Sequence, residues 1–150
     1  MYGGTNRNQK CPPFVGAVPG RQRNFRSAKR KAVRGRNVDV EKMREKGIRL
    51  VTIEEGDYPL RLKEFRDAPY GLFVKGRLPS EENRTAAIIG ARQCTPYGRE
   101  MAEGLGKALA SAGVEVVSGM AKGIDGAGHF GALAGGGSTY AVLGCGADVC

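Results

Sequence analysis

Two cations in the middle of the sequence, Arg92 and Lys122, each follow a short apolar run that ends in glycine. The first run is Ala86-Ala87-Ile88-Ile89-Gly90 and the second is Val114-Glu115-Val116-Val117-Ser118-Gly119. An apolar run, a glycine turn and then a helix start is the pattern of a buried parallel strand whose carboxyl end meets ligands. Glycine lets a ligand approach the backbone, and the free amides of a helix start carry partial positive charge. A third run ends at Gly144, with Gly146 just beyond it. Parallel strands bring all three ends to one edge, where Arg92, Lys122, Ser118, Asp125, Thr95 and Tyr97 also gather. Two cations with amides and hydroxyls suit a phosphate better than carboxylate-based catalysis. Plain turn chemistry is the competing explanation of the glycines.

Other chemistries find less support. The dinucleotide fingerprint GxGxxG does not follow the first strand, where the residues are Gly90-Ala91-Arg92-Gln93-Cys94-Thr95. Gly104-Leu105-Gly106-Lys107 falls inside a helical stretch and is followed by Ala108, so it is no P-loop. His129 is the sole histidine and reads as a hydrogen-bonded helix residue. Asp125 reads as a helix cap. Cys11, Cys94, Cys145 and Cys150 form no CxxC pair and no zinc-like spacing, so no metal and no cofactor is expected. Reduced thiols and the lack of a signal-type apolar start suggest a cytoplasmic protein, and no apolar run approaches a membrane span.

The elements that must hold this edge can be read from periodicity and breakers. A short helix is predicted over Val38–Gly47, a strand over Ile48–Ile53, a short helix from Leu60 to near Asp67, and a strand over Gly71–Gly76. From Thr85 the pattern becomes βαβαβ. The first strand, Ala86–Gly90, leads to a helix from Pro96 to Ala112. Thr95 is its N-cap, Pro96 sits at its first position, and Gly113 follows its end. Met101, Leu105, Ala108, Leu109 and Ala112 form one stripe, expected to pack on the sheet. Val114–Ser118 is the second strand. The next helix carries Gly126, Gly128 and Gly131, and interior glycines of this kind predict a weak helix. Ser138–Gly144 is the third strand. The predicted fold class is α/β, a Rossmann-like three-layer parallel sheet, partial, preceded by a short β/α lead-in.

The charge of +9 divides unevenly along the 150 residues. Residues 1–38 hold ten Lys/Arg and no acid, whereas the rest carries fourteen basic and fifteen acidic side chains. We therefore divide the chain into a basic tail over 1–37, expected to be disordered, and a nearly neutral domain over 38–150. A block of like charge attracts polyanions such as nucleic acid, or is simply a solvated tail.

The residues as a set resemble the DNA-processing protein A family, also called Smf. The matching blocks are Tyr58-Pro59-x-x-Leu62, Pro69 with Leu72-Phe73 and Gly76, and Ile89-Gly90-x-Arg92-x-x-Thr95-x-Tyr97-Gly98. Then come Ser118-Gly119-x-Ala121-x-Gly123-Ile124-Asp125-x-x-x-His129 and Thr139-x-Ala141-Val142-Leu143-Gly144-x-Gly146-x-Asp148. The resemblance covers 38–150 and implies a Rossmann-like, non-enzymatic domain. Such a domain binds single-stranded DNA through backbone phosphates during natural transformation, protects the incoming strand and passes it to RecA. It places Arg92 on the family's phosphate-contacting arginine and Gly90, Ser118, Gly119 and Gly123 on its turns, with Lys122 a second phosphate contact. Sequence-independent single-strand binders pair cations with stacking aromatics, for which Tyr97 and Phe130 are the candidates here. Core packing is the other reading of both rings. The family domain continues past Asp148, so the chain is expected to be truncated, with RecA contact and homodimerisation in question. The competing functions are a nucleotide-phosphate-binding Rossmann hydrolase, whose Pro-Gly-Gly-x-Gly-Thr signature is missing, and a truncated, non-functional family member.

Overall fold

A computed structural model describes residues 14–18 and 40–144 of the chain. Strand β1 (Phe14–Val18) is followed by helix α1 (Val40–Glu45), which ends at Gly47 in the left-handed conformation, φ +67°. Next come β2 (Ile48–Thr52), the single turn α2 (Leu60–Lys63) and β3 (Gly71–Lys75). The remainder is β4 (Thr85–Ala87), α3 (Pro96–Ser111), β5 (Glu115–Ser118), α4 (Ile124–Ala134) and β6 (Thr139–Leu143). Local signals hold well here. Thr95 caps α3 by accepting from the Gly98 amide at 3.1 Å, and Pro96 opens the helix. Gly113 at φ +74° closes it, with the Val114 amide reaching back to the Leu109 carbonyl at 2.9 Å.

The strands form one sheet in the order β2-β3-β1-β6-β5-β4. β4, β5, β6 and β1 run parallel to one another, whereas β3 is antiparallel to both β1 and β2. The structure therefore differs at Phe14–Val18 from the structureless tail expected over 1–37. This Phe-Val-Gly-Ala-Val run is apolar and lies between two proline-containing breakers, and β3 and β6 each offer it a ladder. The rest of the tail lies outside the described residues.

The layers are staggered. Ile88, Val116 and the small residues of α3 and α4 share one core on one face of the parallel strands. Both helices lie there because two right-handed crossovers step in the same direction, from β4 to β5 to β6. On the opposite face a second core, Val51, Tyr58, Leu72 and Val74 with Leu62 of α2, covers the antiparallel strands. The Rossmann-like class thus holds for this α/β sheet.

Of the stripe predicted on α3, Leu109 packs on the core and the rest faces outward. Met101 and Leu105 are half exposed, Ala112 is exposed, and Ala102, Gly106 and Ala110 are the buried residues of the helix. The reason is that α3 and α4 touch backbone to backbone. A Cβ on Gly106 would lie 2.5 Å from the Gly128 carbonyl oxygen, and one on Gly131 would overlap that of Glu103. Only small residues fit that seam, so Met101 and Leu105 turn outward and Leu109 alone of the stripe packs against the core. The glycines that predict a weak α4 are the same ones that let it dock, and tertiary packing offsets their propensity cost.

At the opposite, amino end of the strands, the buried Glu115 accepts from Tyr140 at 3.0 Å, Asn83 at 3.2 Å and Arg77 at 3.5 Å. Burial, with Glu115 adding to it, pushes the Tyr140 hydroxyl up to about 12. This cluster ties the β3–β4 linker to the parallel strands and leaves their carboxyl edge free for the loops described next.

Candidate functional site

The carboxyl edge is built around an internal anion. Asp125, buried in the first turn of α4, accepts from the Gly90 amide at 3.1 Å with one oxygen and from the Gly119 amide at 3.2 Å with the other. It thereby joins the ends of β4 and β5 to the helix that follows them. It is not the cap of α4, a position held by Gly123. A carboxylate near a helix start is favoured by the partial positive charge there. The amides that sequence reasoning offers to a phosphate at Gly90 and Gly119 are thus already engaged within the protein. Ser118 is buried, and its hydroxyl donates to the Ile88 carbonyl. Thr95 serves as the helix cap. A Cβ on Gly90 would lie 2.8 Å from the Ile124 side chain, so that glycine makes room for α4.

In front of this frame an open cleft of about 640 Å³ lies between the two loops and the two helices. Arg92 lines it from the loop after β4, Lys122 and Gly123 from the loop after β5, and Phe130 from α4. Gly123 is what lets the two loops meet. Its φ is +90°, and a Cβ there would overlap the Ala91 carbonyl oxygen, which accepts from the Ile124 amide at 3.2 Å. Arg99 and Glu103 of α3 also line the cleft, and sequence reasoning misses both. The signal that finds them is their spacing of four, which places them on one helix face, but only the rotation of α3 decides where that face looks. Tyr97 is 71% exposed and Gly144 is exposed, and neither lines the cleft.

Among the described residues the cations there have no protein partner. Arg49 pairs with Asp57, Arg61 with Glu81 and Arg77 with Glu115. Among the described residues, no hydrogen bond or ion pair of a side chain engages Arg92, Arg99 or Lys122. Phe130 is 50% exposed, which leaves part of its ring open to a flat ligand. An open cleft with free cations and an aromatic ring can hold a phosphate and stack a base.

The one histidine of the chain does not line the cleft. His129 is buried, and its Nδ1 donates to Thr139 Oγ1 at 2.6 Å, because that hydroxyl already donates to the Val116 carbonyl at 2.9 Å. Burial holds the imidazole below its ordinary value, and the nearby Asp125 carboxylate offsets part of this. His129 is therefore the buried helix histidine that the sequence suggests, though bonded through Nδ1 alone, its buried Nε2 having no partner among the described residues. Among the described residues no group of three or more His, Cys, Asp or Glu side chains could hold a metal, and no helix is long and apolar enough to cross a membrane.

Residues 49–150 match the family described as DNA recombination-mediator protein A. The chain belongs to that family. The match includes every residue that lines the cleft. The DNA processing protein DprA of Streptococcus pneumoniae is 45% identical over 92 residues, which is 61% of this chain and 32% of that protein. The solved structure of DprA from Streptococcus pneumoniae shares the fold with a TM-score of 0.64 and 36% identity, over 75% of this chain and 40% of that one. A second solved relative is DNA processing protein A from Helicobacter pylori, described for its single-stranded DNA binding mode. It has a TM-score of 0.55 and 27% identity, over 68% of this chain and 46% of that one. The chain spans about a third of the length of the curated relatives it matches.

Proposed function

We propose that the chain binds single-stranded DNA through its phosphates, without reading sequence, as part of DNA processing and recombination. The observation that carries this reading is the meeting of Arg92 and Lys122, both without protein partners among the described residues, beside the exposed ring of Phe130 in one open cleft. Lys and Arg that neutralise phosphates release counterions, and an aromatic face stacks on any base. The fold shared with the Helicobacter pylori relative, described for single-stranded DNA binding, supports the same reading.

The direct contacts fall to Arg92, Lys122 and the Gly123 turn, with Phe130 as the stacking ring. Gly90, Thr95, Ser118 and Gly119 shape the loops behind them, and Tyr97 and Gly144 stand outside the cleft. Through the family, the reading extends to transformation: a cytoplasmic, non-catalytic protein, acting as a homodimer, protects the incoming strand and passes it to RecA.

The test is fluorescence anisotropy with labelled oligo-dT on the full chain. Arg92→Ala and Lys122→Ala should each weaken binding and flatten its salt dependence, by about 0.7 in the log–log slope for each phosphate that is no longer neutralised. The basic tail will leave residual binding in both variants. Unchanged affinity and slope in the double variant would reject the cleft as the binding site.

A further inference from the structure

We infer that Arg99 forms a second phosphate subsite in the cleft, and that Glu103, one turn further along α3, ends the phosphate track. The inference rests on the reading of the cleft as a single-stranded DNA site. Arg92 and Lys122 line the cleft from the two loops that follow β4 and β5. Arg99 and Glu103 line the same cleft from α3, with Gly126 and Phe130 facing them from α4. From Arg99 to Glu103 is four residues, ~6 Å along the helix axis. Cations from both loops and the first turns of α3 therefore give way to a carboxylate further along that helix.

Helix stability does not explain Arg99. It sits near the amino end of α3, where the macrodipole disfavours a cation, and the first turn carries no acid to balance it. Glu103 lies at i+4 from it, the weaker order for a helical ion pair, and no such pair is formed in the structure. Arg99 is exposed, so it fills no core space. A free guanidinium at the positive end of a helix, beside two further cations, is stabilised once a polyanion enters the cleft. A phosphate advancing past Arg99 meets the Glu103 carboxylate and is repelled. The backbone of the strand must leave the cleft there, at the level of the Phe130 ring.

The experiment measures oligo-dT binding by the full chain across a salt series for Arg99→Ala, Arg99→Lys, Glu103→Gln and Lys107→Ala. Lys107 is exposed on the same helix but outside the cleft, and so reports general charge. Arg99→Ala should lower the slope by about 0.7, Arg99→Lys should keep it, and Lys107→Ala should leave it unchanged. Glu103→Gln should bind several-fold more tightly. If Arg92→Ala weakens binding while Arg99→Ala matches Lys107→Ala, the second subsite is rejected and the cleft stands. If Glu103→Gln binds no more tightly than the parent, the boundary assigned to Glu103 is rejected. If neither Arg92→Ala nor Arg99→Ala differs from Lys107→Ala, the whole cleft is rejected.

Discussion

The carboxylate of Asp125 lies 3.1 Å from the backbone nitrogen of Gly90, 35 residues earlier in the chain, and its second oxygen takes the Gly119 amide. An internal acid thus occupies the place where a bound anion would sit against the strand ends. A phosphate is left to the side chains in front. The frame and the contacts are separate sets of residues, and substitutions should separate them.

Asp125→Asn keeps the shape but can accept at only one position, and its amide group must face a backbone N–H with another N–H. Loss of a buried, charge-assisted hydrogen bond costs about 2–3 kcal/mol. The urea midpoint should fall accordingly, and the Gly90 and Gly119 amides should lose hydrogen-exchange protection. Equal protection in the variant would show that the bridge does not hold the loops.

Two glycine substitutions should act in opposite directions. Gly131→Ala would drive a methyl group into the Glu103 carbonyl oxygen, forcing α3 and α4 apart at a cost of about 3 kcal/mol or more. Gly104→Ala, in the middle of α3 with nothing within 4 Å, should stabilise the helix by about 1 kcal/mol. Thermal melts of the two variants check this. Similar losses in both would mean that the backbone seam is not what these glycines provide.

His129 links folding to pH. Burial holds its imidazole in the folded protein below the ordinary value of 6.5, so in mild acid the unfolded chain binds the proton more readily. Stability from this group is therefore complete above about pH 6.5 and declines as the pH falls through that value toward the folded pKa. In His129→Gln, melting temperatures measured from about pH 7.5 down to 5 should decline less steeply than in the parent. Parallel curves would remove His129 as the source of the acid sensitivity.

The ends of the elements were legible in the sequence because the interactions that form them are local. Thr95 with Pro96 marks the start of α3, and Gly47 and Gly113 mark helix ends, each through neighbours within a few residues. Arg92 and Lys122 were legible as candidate contacts for a related reason: both follow directly on a strand end. The orientation of α3 was not. Most of its strongest apolar stripe, Met101, Leu105, Ala108 and Ala112, points outward while Leu109 alone packs on the core, because the seam with α4 admits only Ala102, Gly106 and Ala110.

The same seam brings Arg99 and Glu103 to the cleft, and no property of either residue in isolation marks it for that place. Phe14–Val18 shows a similar limit. Its β-prone composition was on view, but it becomes a strand because β3 and β6 leave a slot between them.

The sequence by itself determined the α/β class, the order of the elements from α1 onward and the two loop cations, since these follow from periodicity, breakers and charges close together along the chain. Only the tertiary structure decided which polar groups remain free for a ligand. Asp125 takes the Gly90 and Gly119 amides and the Ile88 carbonyl takes the Ser118 hydroxyl, while Arg92, Arg99 and Lys122 find no protein partner among the described residues. Hydrogen-bond competition of that kind is settled between groups far apart in the chain, by the way the two helices dock on the sheet.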